Sequence, residues 1–124
     1  MNLVQEYFAL VREVVSYRET VYDDVTAKKH NRKVKRMSAI ATEIEQNFPE
    51  FKNDFYGLLS NDNKEIRLWV AHHILEHMNY DQYFRKNALK EIRRMARTDK
   101  TVYGFGERIW LKKWYKTHPK DRWI

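Results

Sequence analysis

Asn61-Asp62-Asn63-Lys64-Glu65-Ile66-Arg67-Leu68-Trp69-Val70-Ala71-His72-His73-Ile74-Leu75 is the stretch that decides the fold. The polar triplet at its start reads as a loop ending in a helix cap, with Asp62 or Asn63 accepting from the first free amides. The periodicity then predicts a helix over 64–78. At 100° per residue, Ile66, Leu68, Val70, Ala71, Ile74, Leu75 and Met78 sweep about 200° of its surface. A helix wet on so little of its circumference lies between other helices. Working outward, Leu3, Val4, Tyr7, Phe8, Val11, Val14 and Val15 predict a helix over 2–17. Val34, Met37, Ile40, Ala41, Ile44 and Phe48 form the stripe of a second helix over 22–47, which Pro49 ends. A short helix is expected over 50–59 and a fifth over 82–97, burying Phe84, Ala88, Leu89, Ile92, Met95 and Ala96. Residues 98–106 hold two of the three glycines and read as a loop, with a sixth helix over 107–117. No strand pattern survives, so the expected class is all-α, with about six helices.

At 124 residues the chain has room for one domain, taken as 1–124, or a few repeats sharing a core. It contains no cysteine. That excludes disulfides, thiolate zinc sites, iron–sulfur clusters and cysteine nucleophiles, and suits a reducing compartment. No secretory signal or long apolar span is visible, so a cytoplasmic protein without membrane contact is expected. The net charge of +7 is unevenly spread. From Arg85 onward there are 13 basic and 4 acidic side chains, against 11 and 13 before it. Such asymmetry bears on partners rather than on fold.

An internal echo points to architecture. Arg67-Leu68-Trp69 and Arg108-Ile109-Trp110 each open an expected helix after a polar or glycine-containing loop, 41 residues apart. That spacing falls in the period of helical-hairpin repeats such as HEAT. The 61–75 stretch resembles the Asp…Val-Arg…Ala-Ala signature that opens a HEAT repeat. With Asn87-Ala88-Leu89-Lys90-Glu91-Ile92 and the ending from Gly106 to Trp114, the chain resembles small bacterial HEAT-like proteins of unassigned activity. These are similar to immunity proteins of polymorphic or contact-dependent toxin systems. The resemblance covers about 55–114. It implies an α–α superhelix of antiparallel hairpins acting as a binding scaffold, and it carries no catalytic residues.

Several constellations compete for the site. His73-Ile74-Leu75-Glu76-His77 matches H-x-x-E-H, in which two histidines four apart share a helix face and can reach one metal. A third ligand is not evident, and the wheel sets His77 inside the apolar arc with His73 at its edge. A hydrogen-bonded structural pair is therefore expected, with no metal and no cofactor. Arg67 falls within the apolar arc and must be paired, with Asp62 as cap; both read as structural. Lys28 to Arg36 holds six Lys or Arg in nine residues, either a solvated face or a phosphate contact. Lys86, Lys90, Arg93, Arg94 and Arg97 line the wet side of the fifth helix. In a HEAT-like stack that face is the concave one, so this stripe is a candidate partner site as well as a solubility feature. Trp110, Trp114, Leu111 and Tyr115 share one face of the sixth helix and read as core. Tyr103 and Phe105 are expected in an exposed loop, as interface anchors.

Parts for an enzyme are lacking. Ser16, Ser38 and Ser60 have no nucleophile-elbow context, and there is no phosphate-cradling glycine loop. Asp23 and Asp24 sit at a helix start, where capping explains them. The expectation is a non-catalytic monomer or weak dimer that binds a cognate protein toxin, a nuclease among the candidates, and occludes its active site. An inhibitor of a basic nuclease should be acidic, which this chain is not. Its contact would then use an acidic toxin or the net −2 portion around Tyr22, Asp23 and Asp24. The rival is a nucleic-acid-binding module using the stripe of the fifth helix.

Overall fold

The computed structural model describes residues 1–17 and 23–124. It contains six α-helices: α1 Leu3–Ser16, α2 Asp24–Asn47, α3 Lys52–Gly57, α4 Lys64–His77, α5 Gln82–Thr98 and α6 Val102–Thr117. Short 3₁₀ turns lie at Pro49–Phe51, Leu58–Ser60 and Pro119–Trp123, and there is no strand among the described residues. The all-α expectation holds.

The helix starts are written in their caps. Asn2 and Gln5 form a reciprocal capping box on α1, at 2.8 and 2.9 Å. The Asp23 carboxylate accepts from the Thr26 amide at 2.7 Å and opens α2. Asn63, rather than Asp62, caps α4, accepting from the Glu65 and Ile66 amides at 2.8 and 3.1 Å. Each cap satisfies amides that have no partner inside the helix.

Packing follows the apolar stripes. Tyr7 and Val11 of α1, Met37, Ile40 and Ile44 of α2, and Phe55 of α3 meet Val70 and Ile74 of α4 and Leu89 and Ile92 of α5 in one core. α4 touches α1, α2 and α5, as its wide apolar arc requires, and α6 packs on α5. Arg67, inside that arc, is paired. Its Nε donates to Glu91 at 3.1 Å, and Nη1 donates to the carbonyls of Asn61 and Asp62 at 2.8 and 3.1 Å. That set satisfies a guanidinium that burial would otherwise penalise by several kcal/mol, about 3–5 if unpaired.

The expected loop over 98–106 is a correction. α6 begins at Val102, so the connection is only Asp99, Lys100 and Thr101, with the Thr101 hydroxyl accepting from the Tyr103 amide at 3.3 Å. Gly104 and Gly106 are helical, and no residue described has positive φ. Gly104 is glycine for proximity: a Cβ there would lie 1.9 Å from the Asp99 carbonyl oxygen. Arg108 therefore sits in the second turn of α6, not at its start. The echo with Arg67 persists in another form, because Arg108 Nη1 also donates to a preceding carbonyl, that of Ala96, at 2.7 Å.

A candidate binding groove between α1, α2, α4 and α6

A hollow of about 590 Å³ opens where the end of α1 and the middle of α2 face α4 and α6. α1 contributes Val14 and Val15, and α2 contributes His30, Val34 and Ser38. From α4 come Glu65, Leu68, Trp69, His72, His73 and Glu76, and from α6 Tyr103, Glu107 and Trp110. The helical period explains the α4 set: residues 65, 68, 69, 72, 73 and 76 form one face, opposite the deepest core residues. The volume falls within the range of ordinary ligand sites.

A charged network spans the groove. His72 Nε2 lies 2.7 Å from Glu107 Oε2, and Nδ1 lies 3.4 Å from Glu76 Oε1. The Trp110 indole N–H donates to the same Glu76 oxygen at 2.7 Å, and its ring meets His72 edge-on with centroids 4.5 Å apart. Burial alone would lower the His72 pKa, but the hydrogen bonds to Glu107 and Glu76 overcome it and hold it at about 9. His72 is thus a cation at neutral pH. For Glu76, burial raises the pKa and the bonds from His72 and Trp110 outweigh it, leaving the carboxyl below its usual value.

The neighbouring histidine is set the opposite way. His73 Nδ1 lies 2.6 Å from Tyr7 Oη in the core, and Nε2 lies 3.3 Å from Ser38 Oγ. Burial, helped by the adjacent His77, pushes its pKa down to about 3, and burial also pushes the Tyr7 phenol well up. Tyr7 keeps its proton as a donor to Nδ1, and the Nε2–H then points to Ser38. So poised, His73 is too weak a base to take the Ser38 proton. With both nitrogens engaged it has no lone pair for a metal, and among the described residues no three His, Asp or Glu side chains converge to hold one. Burial of the pair is reversed from the wheel: His73 is 3% exposed, whereas His77 is half-buried.

Of the nine described residues among the ten chosen from sequence as partner-binding, the groove gathers only Tyr103, which stands on the first turn of α6 rather than in a loop. Phe105 shares that turn, exposed, with the Arg108 guanidinium 6.0 Å from its ring centroid. Asp23 is the α2 cap, Asp24 is exposed in its first turn, and Tyr22 lies outside the described residues. Lys86, Lys90, Arg94 and Arg97 are exposed on α5, with Arg94 3.2 Å from Glu91.

Arg93 is not on the wet side. It donates to Tyr115 Oη at 2.9 Å and to the carbonyls of Ile124 and Asp121 at 2.7 Å each, so it holds the C-terminal turn against α5. The buried Asp121 carboxylate is bound there by Arg85 and by the Trp114 indole at 2.8 Å. In the Lys28–Arg36 run, Lys33 pairs with Glu13 at 2.6 Å and Arg36 with Glu6 at 2.7 Å, both on α1. The rest of that run's cations face solvent.

Sequence reasoning missed His72, Glu107, Trp69 and Trp110 as one site. The i, i+4 pair His72–Glu76, three residues beyond Trp69, was the available signal. Glu107 joins it only through the packing of α6 on α5. Comparison with models of protein families, with curated proteins and with solved structures found no match to this chain.

Proposed function

We propose that this protein works by binding rather than by catalysis, and that the groove is the seat of a partner protein. The observation that carries the reading is the groove itself. About 590 Å³ of space is walled by apolar and aromatic side chains, among which His72, Glu76, Glu107 and Trp110 are held to one another by hydrogen bonds. Preorganised surfaces of this kind bind with little ordering cost. Two features support the absence of chemistry: His73 is held neutral with both nitrogens occupied, and Ser38 has no competent base.

The partner proposed is a cognate cytoplasmic toxin, whose active site the helical face covers. Exposed Tyr103 and Phe105 at the start of α6 would serve as anchors. A HEAT-like stacking of the α4–α5 and α5–α6 hairpins belongs to the same proposal. It is supported by the short connections between these helices and by the shared reach of Arg67 and Arg108 to backbone carbonyls that precede their own helices, Asn61 before α4 and Ala96 in the last turn of α5.

A second reading is favoured by one observation. Arg108, Lys112, Lys116 and Arg122 line another hollow, of about 510 Å³, that has no carboxylate among its described lining residues and suits a phosphate backbone. Capture of the tagged protein from its host at moderate salt, with and without nuclease, separates the two readings. A stoichiometric protein that survives nuclease and is lost with Tyr103→Ala supports the toxin-binding role. Nucleic acid in the eluate, with protein vanishing after nuclease, overturns it.

A further inference from the structure

We infer that the hollow beside the second half of α6 is a binding track for single-stranded nucleic acid, holding phosphates on its cations and unpaired bases on its rings. The inference rests on the second reading, nucleic-acid binding, and names the form of nucleic acid and the surface that takes it.

The first argument is the disposition of charge. Val102 to Ile124 carries six Lys or Arg side chains and two carboxylates, Glu107 and Asp121. Both carboxylates are engaged by the fold. Glu107 meets His72 at 2.7 Å, and buried Asp121 is bound by Arg85 and by the Trp114 indole at 2.8 Å. The cations are turned the other way, with Lys112, Lys116 and Arg122 exposed where they line the hollow. Packing thus separates the charges of this segment and leaves its cations on the outside.

The second argument is spacing. Arg108, Lys112 and Lys116 recur every fourth residue, so they rise along one row of α6 in steps of about 6 Å. Neighbouring phosphates of one strand are spaced by nearly the same length, and Arg122 from the C-terminal turn adds a fourth donor. Arg108 spends Nη1 on the carbonyls of Ala96 and Asp99, which anchors its guanidinium at the head of the row.

Rings decide between one strand and two. Leu111 and Tyr115 lie half-buried between the cations, and the Tyr115 ring is held by the bond its hydroxyl accepts from Arg93 at 2.9 Å. Two further rings stand exposed beside the lining arginines. Phe105 is 57% exposed, with the Arg108 guanidinium 6.0 Å from its centroid. Trp123 is 82% exposed, with that of Arg122 at 5.8 Å. Neither ring belongs to the core, and an exposed ring beside a cation is a platform for an unpaired base. A duplex keeps the faces of its bases in its own stack and shows only their edges, whereas a single strand can lay a base on each ring.

The test uses the full chain at pH 7 and moderate salt with a fluorescein-labelled oligothymidylate of twelve nucleotides and its ribose counterpart, oligouridylate. Companion probes are a duplex of the same length, an abasic strand with the same phosphates, and a twelve-residue glutamate peptide. At least one of the two single strands is expected to bind tenfold or more tighter than every companion, and the tighter of the two names the preferred sugar. Amide NMR shifts should cluster at 105–116 and 122–124. Lys112→Gln with Lys116→Gln should weaken binding at least fivefold and lower the slope of log K against log salt by about 1.4, at about 0.7 per phosphate contact. Trp123→Ala and Phe105→Ala should each weaken single-strand binding at least fivefold and leave abasic-strand binding and the melting temperature where they are. Equal binding of the abasic strand, or indifference to both ring variants, overturns the inference in favour of a plain phosphate site. Equal binding of the glutamate peptide overturns it in favour of an acidic protein segment. Equal binding of the duplex, or shifts confined to α5 or to Lys28–Arg36, overturns it and leaves the nucleic-acid reading standing. Absence of binding to any nucleic acid sinks that reading as well.

Discussion

His72 Nε2 and Glu107 Oε2 stand 2.7 Å apart and join α4 to α6 across the mouth of the groove. Thirty-five residues separate them in the chain. This bond, with the Glu76–Trp110 bond beside it, couples the shape of the groove to the protonation of one imidazole.

The coupling predicts a pH-dependent stability. The His72 pKa stands at about 9 in the fold, above its ordinary 6.5. Its contribution is therefore fully present below pH 6.5 and is lost as pH rises through 9. The difference corresponds to at most about 3 kcal/mol. Urea unfolding at pH 6 and pH 9.5 should show this decline in the wild type and little of it in His72→Gln. An equal decline in both proteins would place the effect elsewhere.

His73 carries the opposite sign. Its pKa is held down at about 3, so its contribution is present above pH 6.5 and is lost as pH falls toward 3. An NMR titration should find His73 neutral at pH 5 while His72 is fully protonated. Tyr7→Phe strips Nδ1 of its partner in the core and should cost about 1–3 kcal/mol. A cost under a few tenths would mean that the 2.6 Å contact contributes nothing net.

Two glycines two residues apart should respond in opposite directions. Gly104→Ala puts a methyl 1.9 Å from the Asp99 carbonyl oxygen and should destabilise by about 1–3 kcal/mol or more. Gly106→Ala meets nothing within 4 Å in a regular helix and should stabilise by about 0.5–1 kcal/mol. Melting temperatures of the two variants decide it, and a shared sign would contradict the helical start at Val102.

Truncating Arg93 should damage the fold rather than a binding face. Arg93→Ala removes three hydrogen bonds that hold the C-terminal turn and should cost about 2 kcal/mol or more. Arg85→Ala strands the buried Asp121 carboxylate and should cost about 3–5 kcal/mol. Lys90→Ala, on the same helix but exposed, should stay within about 0.5 kcal/mol. Guanidinium chloride midpoints for the three variants provide the check.

Periodicity and caps made most of the fold legible. The stripes of α1, α2, α4 and α5 name the core residues because burying a helical face requires apolar side chains at its repeat. Pro49 and Asn63 mark boundaries because they alter the local backbone or satisfy free amides. The start of α6 was hidden for a local reason. Two glycines read as a loop, whereas one of them is a contact between a helix and the carbonyl of Asp99.

The site was far less legible. The basic side chains of α5 look alike in sequence, yet Arg93 is bound at three points while Lys86 and Lys90 face solvent. Adjacent His72 and His73 differ only in what other helices bring to them: Glu107 to one and Tyr7 to the other. Local sequence determined which residues are helical and which faces are greasy, because those follow from backbone geometry and side-chain polarity within a few turns. Only tertiary packing decided which imidazole is charged, which arginine is spent on structure and where the groove opens. Those properties are set by partners dozens of residues away and by the dielectric that burial creates.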